Sequence, residues 1–192
     1  KDPINEDVSH TFFDADNDGD QDLLIVSGGN EFKSGKTLMP RFYINNNGIF
    51  QKDSLNFKDI ELNASKVSAF DFDNDGDLDI IITSDQVPQH FGEIPQNYIF
   101  KNNGKAQFSD VSNSFGIALK NIGIIKDFVC VDIDNNGFKD VIVAGHWMPI
   151  TILLNDGNQL KIAENNGLDF TNGLWNVIKI ADMDNDGDLD IV

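Results

Sequence analysis

An acidic nine-residue pattern occurs four times in this chain of 192 residues. Each copy reads Asp-x-Asp-x-Asp/Asn-Gly-x-x-Asp, and the copies begin at residues 14, 71, 132 and 182, which places them 57, 61 and 50 residues apart. Four matches to so specific a pattern do not arise by chance. The chain is therefore predicted to repeat one structural unit, with an acidic loop in each copy.

The spacing of the oxygen-bearing side chains is that of a calcium cage. Ca²⁺ takes about 6–8 oxygen ligands at about 2.3–2.6 Å. Side chains at positions 1, 3 and 5 converge when the backbone curls around an ion, and the glycine at position 6 permits the sharp turn. Position 7 then offers its backbone carbonyl and the aspartate at position 9 closes the cage. The pattern predicts up to four calcium sites.

The residues around each acidic loop predict short strands. An apolar segment precedes every loop and a β-rich run follows it, and in the first three units a hairpin signal comes next. Asn-Gly and Asp-Gly tips suit the positive φ of tight hairpin turns. No window shows sustained helical periodicity. Each unit is predicted to be four antiparallel strands, with the acidic loop joining the first two.

Four-stranded units of this length are typical of the blades of a β-propeller, which bury their faces against neighbouring blades. The fold class is therefore predicted as all-β, with the 15 phenylalanines and the branched aliphatics filling the interfaces between blades. The blades are expected at about 8–66, 67–125 and 126–176, with an incomplete blade at 177–192. Because propellers close with about 4–8 blades, we expect a larger wheel of about seven, with further blades beyond this chain.

An EF-hand is the main alternative for the loops. It requires a bidentate glutamate at position 12 and flanking helices. The first three copies carry Ile25, Ile82 and Val143 at that position, and their flanks are β-rich. The EF-hand is therefore excluded.

The acidity of the chain is concentrated in the loops. The formal charge is −18, and the four nonamers hold 18 of the 32 acidic residues but only one base, Lys139. The other 14 acids face 13 bases, so the rest of the chain is nearly neutral. With Arg41 as the single arginine and no basic cluster, nucleic-acid binding is not expected.

Other features bear on the compartment. No segment approaches the ~20 apolar residues of a membrane span. The start, Lys1-Asp-Pro-Ile, is not that of a signal peptide, so we expect a mature chain or an excerpt. Cys130 is the only cysteine and is expected to be a buried core thiol. Because several acidic cages suit the millimolar calcium outside cells, the chain is expected to be secreted, periplasmic or displayed on the cell surface.

The acidic loop followed at once by an aliphatic strand resembles the FG-GAP/VCBS repeats of integrin-α-like propellers, over essentially the whole chain. Residues 27–32 and 145–150, with the Asn-Asn-Gly hairpins, are similar to bacterial VCBS proteins of the ASPIC/UnbV and cartilage-acidic-protein group. In that group a glutamate commonly precedes Trp-Met-Pro, where this chain has His146. The resemblance implies a secreted or surface propeller with structural calcium and no agreed activity.

The resemblance also implies a ligand set, in which positions 1, 3, 5 and 9 use side chains and position 7 uses its backbone oxygen. Backbone ligation explains how phenylalanine is tolerated at position 7 of the third loop, where asparagine also replaces aspartate at position 5. The implied metal ligands are Asp14, Asp16, Asp18, Asp20, Asp22, Asp71, Asp73, Asp75, Asp77, Asp79, Asp132, Asp134, Asn136, Phe138, Asp140, Asp182, Asp184, Asp186, Asp188 and Asp190.

Two classes of function fit these features. One is a non-enzymatic binding or scaffolding module for an extracellular protein or glycan, with calcium stiffening the blades, and the connections 27–40 and 84–97 are the expected partner surface. The other is a polysaccharide lyase or hydrolase, for which one arginine and three scattered histidines are a poor catalytic set. Trp147 and Trp175 are expected to lie in the core, with sugar stacking as the alternative.

Overall fold

A computed structural model describes residues 5–164 and 166–192 of the chain. Antiparallel sheets account for nearly all of the regular structure. The first sheet contains β1 (Glu6–Phe13), β2 (Asp22–Gly28), β3 (Arg41–Asn46) and β4 (Ile49–Lys52), hydrogen-bonded in chain order. The second repeats this order with β5 (Asn63–Phe70), β6 (Asp79–Gln86), β7 (Tyr98–Asn102) and β8 (Phe108–Asp110). The predicted four-strand unit is thus confirmed in both.

The third sheet departs from the expected unit. It contains β9 (Ile124–Val131), β10 (Asp140–Met148), β11 (Thr151–Asn155) and β12 (Leu160–Ile162), and adds a short fifth strand, β13 (Gly173–Leu174). β13 pairs with the end of β10 beyond the stretch that β11 covers. A last pair, β14 (Ile180–Ala181) and β15 (Asp190–Ile191), flanks the fourth acidic loop.

The sequence did not predict two short helical turns, a 3-10 turn at Lys36–Leu38 and the helix α1 at Ile117–Lys120. Both lie in connections between strands, and neither is long enough to produce helical periodicity. Leu38 and Leu119 are buried, so each turn adds one apolar side chain to the protein interior. No helix in residues 5–164 and 166–192 is long and apolar enough to span a membrane.

Phenylalanines fill the interface between the first and second sheets. Phe42 and Phe108 meet edge to face with ring centroids 5.6 Å apart, and Phe57 and Phe100 do so at 4.9 Å. Such pairs contribute about 0.5–1.5 kcal/mol beyond the burial of their area. The expected role of phenylalanine between neighbouring sheets is confirmed here.

The second and third sheets pack in the same way. Phe72 and Phe115 stack with centroids 4.1 Å apart, beside the fully buried Ile81 and Phe128. Phe72 is itself position 2 of the second acidic loop, and Ala15 holds the equivalent position in the first core. A buried apolar side chain at position 2 therefore anchors the first two loops, and the half-buried Ile133 does so in the third, whereas Met183 of the fourth loop is 64% exposed.

The acidic loops lie at the same end of the sheets as the hairpins that join the third strand of a sheet to the fourth. Each acidic loop joins the first two strands of its sheet, as predicted, and the hairpin tip at Asn47–Gly48 has positive φ of 53° and 86° at its two residues. The connections 27–40 and 84–97 lie at the opposite end, where the Gln89 N–H donates to Asn30 Oδ1 at 2.7 Å. The structure thus separates a loop end from a connection end.

Candidate metal centre

Two residues with positive φ curl each acidic loop. The glycine at position 6 has φ between 92° and 95° in all four copies, as its sequence position predicted. Position 4 also has positive φ, between 59° and 62°, and is asparagine every time. Asparagine tolerates this conformation better than most residues. Its occurrence in all four copies was a signal that sequence reasoning did not use; the residues are Asn17, Asn74, Asn135 and Asn185.

Aspartate at position 1 fastens the turn from inside. One of its carboxylate oxygens accepts the N–H of the position-6 glycine at 2.9–3.1 Å in every copy. The side-chain oxygen at position 5 accepts the N–H of position 7 at 2.8–3.0 Å. In the first and third loops the second oxygen of position 1 also accepts the N–H of position 5, at 3.2 and 3.0 Å.

Aspartate at position 9 joins the loop to the sheet. Asp22, Asp79 and Asp140 are fully buried. In each, one oxygen accepts the N–H of position 2 at 2.9–3.1 Å and the other accepts an N–H from an asparagine of the third strand at 2.7–2.8 Å. The fourth copy, Asp190, accepts only the first of these bonds among the described residues.

The structure brings three carboxylates together in every loop. Within each group, one oxygen from each side chain lies within 4.8 Å of the others. The first group uses positions 1, 3 and 5, and the other three use positions 1, 3 and 9. The groups are Asp14, Asp16 and Asp18; Asp71, Asp73 and Asp79; Asp132, Asp134 and Asp140; and Asp182, Asp184 and Asp190.

In the first three loops the side chain at position 7 points to a hairpin tip instead. Asp20 accepts the N–H of Asn47 at 2.6 Å. Asp77 and Phe138 lean on hairpin glycines, so that a Cβ at Gly104 or Gly157 would lie within 2.6 Å of them. In these three loops the side chain of position 7 is thus engaged at a hairpin tip, and the ligand role of its backbone oxygen stays a prediction.

Burial, with a smaller contribution from neighbouring carboxylates, raises the pKa values of the position-9 aspartates of the first three loops. Burial raises the pKa of Asp79 to about 7, against two opposing backbone hydrogen bonds and with help from Asp73 and Asp75. Burial also raises the pKa of Asp22 and of Asp140, and neighbouring loop carboxylates add to both effects. Negative charge is therefore held in these loops at an energetic cost that a cation would offset.

Three oxygens of these carboxylates have no partner within the described residues. Oδ1 of Asp16, Asp71 and Asp73 is buried and receives no hydrogen bond. A buried carboxylate oxygen left unpaired is costly, and all three belong to loop positions 1 and 3. A set of hard oxygen donors with unsatisfied lone pairs fits Ca²⁺ better than a soft metal, which selects sulfur or imidazole.

The second loop contains a cation of its own. The Lys101 ammonium, on β7, forms ion pairs with Asp73 and with Asp75, the latter at 3.0 Å. Hydrogen bonding to Asp73 raises the pKa of Lys101, so its side chain stays charged. Burial raises the pKa of Asp75, but the Asp77 N–H and Lys101 together outweigh it and lower that pKa. The equivalent residues of the other two sheets are Ile44 and Leu154.

In the second and third sheets an asparagine on the third strand connects the acidic loop to that of the preceding sheet. Buried Asn102 donates from Nδ2 to the backbone carbonyl of Ala15, in the first loop, at 2.8 Å, and to that of Leu78, in its own loop, at 3.2 Å. Asn155 repeats this arrangement one sheet further, to Phe72 at 2.7 Å and to Lys139 at 3.0 Å. Sequence reasoning read these asparagines only as part of hairpin signals.

Direct contacts between neighbouring loops strengthen the connection. Asn17 Nδ2 donates to the carboxylate of Asp77 at 2.8 Å, and Asn74 Nδ2 donates to the carbonyl of Gly137 at 2.9 Å. The first three loops therefore form one hydrogen-bonded row along their end of the sheets.

The other candidate residues lie outside this row. Among the described residues no histidine belongs to one of the carboxylate groups of the acidic loops, and His90 instead pairs with Glu93 in the connection 84–97. Cys130 packs against the second core, and burial raises its thiol pKa to about 12, which keeps it protonated. The expectation that both tryptophans lie in the core is wrong, because Trp147 is 56% exposed and Trp175 40%.

Comparison with known families agrees with this geometry. A family model described as FG-GAP-like repeat matches residues 9–82 and 132–192, which is more than half of the chain. The chain belongs to the FG-GAP-like repeat family. The two matched segments contain all four acidic loops. None of the curated proteins compared with this FG-GAP-like chain matches it.

Proposed function

We propose that this chain forms part of a calcium-stabilised β-propeller that acts outside the cytoplasm as a binding module. Three features support the architecture: FG-GAP-like repeats, antiparallel sheets joined in the same strand order, and cores made between neighbouring sheets. Each sheet is one blade in this proposal, and β14 with β15 begins another. Residues 27–32 and 145–150 further favour kinship with the bacterial VCBS proteins of the ASPIC/UnbV group.

The observation that carries the calcium proposal is the set of buried, unpaired oxygens on Asp16, Asp71 and Asp73. Each belongs to a group of three carboxylates whose oxygens lie within 4.8 Å of one another. In each loop, positions 1, 3, 5 and 9 would hold the ion by side chains and position 7 by its backbone oxygen. Bound calcium supplies positive charge, which neutralises the carboxylates and ties the loop to the sheet.

The proposed role of the bound calcium is structural. Position 9 is buried at the start of the second strand in three sheets, and the third-strand asparagines join loop to loop. Stiffening the loops therefore stiffens the contacts between sheets. A rigid row of sheets leaves the connections at the opposite end, 27–40 and 84–97, to bind an extracellular protein or glycan. Millimolar calcium in that compartment suits such cages.

Metal analysis tests this proposal. After dialysis against 1 mM Ca²⁺ and removal of free ion, we expect bound calcium at up to four ions per chain, and its loss in chelator. The double substitution Asp71→Asn, Asp73→Asn should remove one ion. Asp156→Asn, which removes an exposed carboxylate outside the loops, serves as the control and should retain all of them. Absence of bound calcium in the unaltered protein would refute the proposal.

A further inference from the structure

Trp147 has a backbone conformation that suits glycine. Its φ is +58°, at a register shift near the end of β10. It lies seven residues after the position-9 aspartate of its loop, and the residue at the same place in the first sheet is Gly29, with φ +98°. A bulky residue at positive φ is an outlier that persists only when the surrounding structure enforces it, and such outliers cluster at functional sites.

Burial does not compensate for this strain. The indole of Trp147 is 56% exposed, and the neighbouring Phe91 is 84% exposed. Their rings meet edge to face with centroids 5.5 Å apart. Phe91 follows a tight turn in which Gln89 also has positive φ. The end of β10 and the connection 84–97 thus hold two large aromatic rings together in solvent, where neither contributes to a core.

Polar side chains surround the two rings. A cavity of about 200 Å³ is lined by both aromatic residues and by Asp85, Gln86, Lys126 and His146. Lys126 and Asp85 form an ion pair, which balances the local charge. His146 Nε2 forms a hydrogen bond with Asn176 Oδ1 at 3.0 Å, and this bond does not use Nδ1 of the same ring. In a chain of formal charge −18, this is a charge-balanced pocket with aromatic walls.

We propose that this pocket, which we call the rim pocket, binds a ring of a neutral saccharide. The C–H face of a pyranose packs on an aromatic ring, and its hydroxyls are satisfied by the mixed donors and acceptors of the pocket. An anionic sugar would meet Asp85 and the negative field of the chain, and a flat protein surface would not enter a cavity of this size. The proposal rests on the proposed function as a binding module, whose ligand class it names.

The rim pocket is separate from the acidic loops. The third loop precedes β10, whereas the pocket lies at the other end of that strand, about 20 Å away at ~3.3 Å per residue. The two proposals can therefore be tested separately. An absence of sugar binding would not affect calcium binding, and an absence of calcium binding would be detected by metal analysis with no sugar present.

The test uses the full chain in calcium and measures tryptophan fluorescence and saturation-transfer NMR with maltohexaose, cellohexaose, mannohexaose and xylohexaose. Polygalacturonate oligomers test for binding of an anionic sugar, and an apolar octapeptide tests for binding of a peptide. At least one neutral oligosaccharide should bind. Phe91→Ala and Trp147→Asn should each weaken it at least about tenfold, as truncation of an aromatic anchor does. Phe50→Ala removes a ring that is 44% exposed, in β4, and should leave binding unchanged.

Thermal stability distinguishes a binding role of the Trp147 indole from a structural role. Asparagine accepts positive φ, so Trp147→Asn should leave Tm unchanged or higher. Sugar binding lost together with a large fall in Tm would overturn the proposal. It would also be overturned if no neutral oligosaccharide bound, or if only the polygalacturonate oligomers or the octapeptide bound. Equal sugar affinity of the Phe91 and Trp147 variants and the unaltered chain would overturn it too.

Discussion

Replacing Lys101 by methionine should change the second acidic loop in opposite directions with and without calcium. In the absence of metal, the Lys101 ammonium is the countercharge of Asp73 and Asp75. Methionine keeps the apolar length of the side chain but removes that charge. The loop should then be less stable when empty, because its carboxylates repel one another without relief, and should bind calcium more tightly, because no ammonium competes.

The size of both effects follows from the solvent exposure of the side chains that pair with Lys101. The Lys101 side chain is 39% exposed and that of Asp73 18%. Ion pairs of this kind contribute about 0.2–1 kcal/mol each after solvent screening. Two pairs together give about 1 kcal/mol, which corresponds to roughly a fivefold change in calcium affinity. The same energy lowers Tm in chelator by about 2–4 °C for a chain of this size.

Paired thermal scans in chelator and in calcium, with calorimetric titration of calcium, measure both effects. Lys161→Met is the matched control, because Lys161 pairs with Asp156 on the surface, outside the loops. It should shift Tm slightly and equally in both conditions. If Lys101→Met lowered Tm by the same amount with and without calcium, or left calcium affinity unchanged, the role of Lys101 as a competing cation would be refuted.

Three further predictions concern other parts of the acidic loops. Asn136→Asp restores a carboxylate at position 5 of the third loop and should tighten calcium binding there, which calorimetry would show; weaker binding would contradict the ligand role. Asn102→Ala removes the Nδ2 donor shared by two backbone carbonyls and should cost about 1–3 kcal/mol in chemical denaturation, whereas Asn45→Ala, whose side chain makes two exposed bonds, should cost clearly less; equal losses would refute the inter-sheet bond. The raised pKa of Asp79, about 7, means that the folded metal-free chain holds a proton that the unfolded chain releases near pH 4. Its stability in chelator should therefore fall as pH rises from about 4 to 7, and Asp79→Asn should flatten that slope in thermal scans; an unchanged slope would refute the assignment.

Much of the local fold was predictable from the sequence. The glycine at position 6 of each acidic loop has the positive φ that the pattern requires, and the loops join antiparallel strands as expected. The tip at Asn47–Gly48 is the predicted tight turn. These features depend on residues close together in the chain, so local chemistry is sufficient to predict them.

Features that depend on neighbouring sheets were not predictable in the same way. Asn102 bonds to Ala15, which is 87 residues away, and a single sequence gives no sign of that contact. Lys101 looks like an ordinary strand residue until the loop is placed beside it. The fifth strand of the third sheet is two residues long, too short for a period-two pattern.

The tryptophans show the limit of reasoning from fold class. Aromatic residues of a blade were expected in the core, and the phenylalanines between sheets follow that rule. Trp147 does not, because positive φ at the end of β10 turns its ring outward beside Phe91. The position of the matching Gly29 after its own loop was visible in the sequence, but its conformation was not.

Thermal unfolding in calcium and in chelator tests the central claim most directly. Ligand that binds only the folded state stabilises it by about 2.7 kcal/mol per site at 100 times Kd. Even one such site should raise Tm by about 5–10 °C. We expect a rise of at least that size on moving from EGTA to 2 mM Ca²⁺, and a much smaller one with Mg²⁺, which prefers a tighter octahedral shell. Superimposable unfolding curves in EGTA and in calcium would contradict the claim that these acidic loops are structural calcium sites.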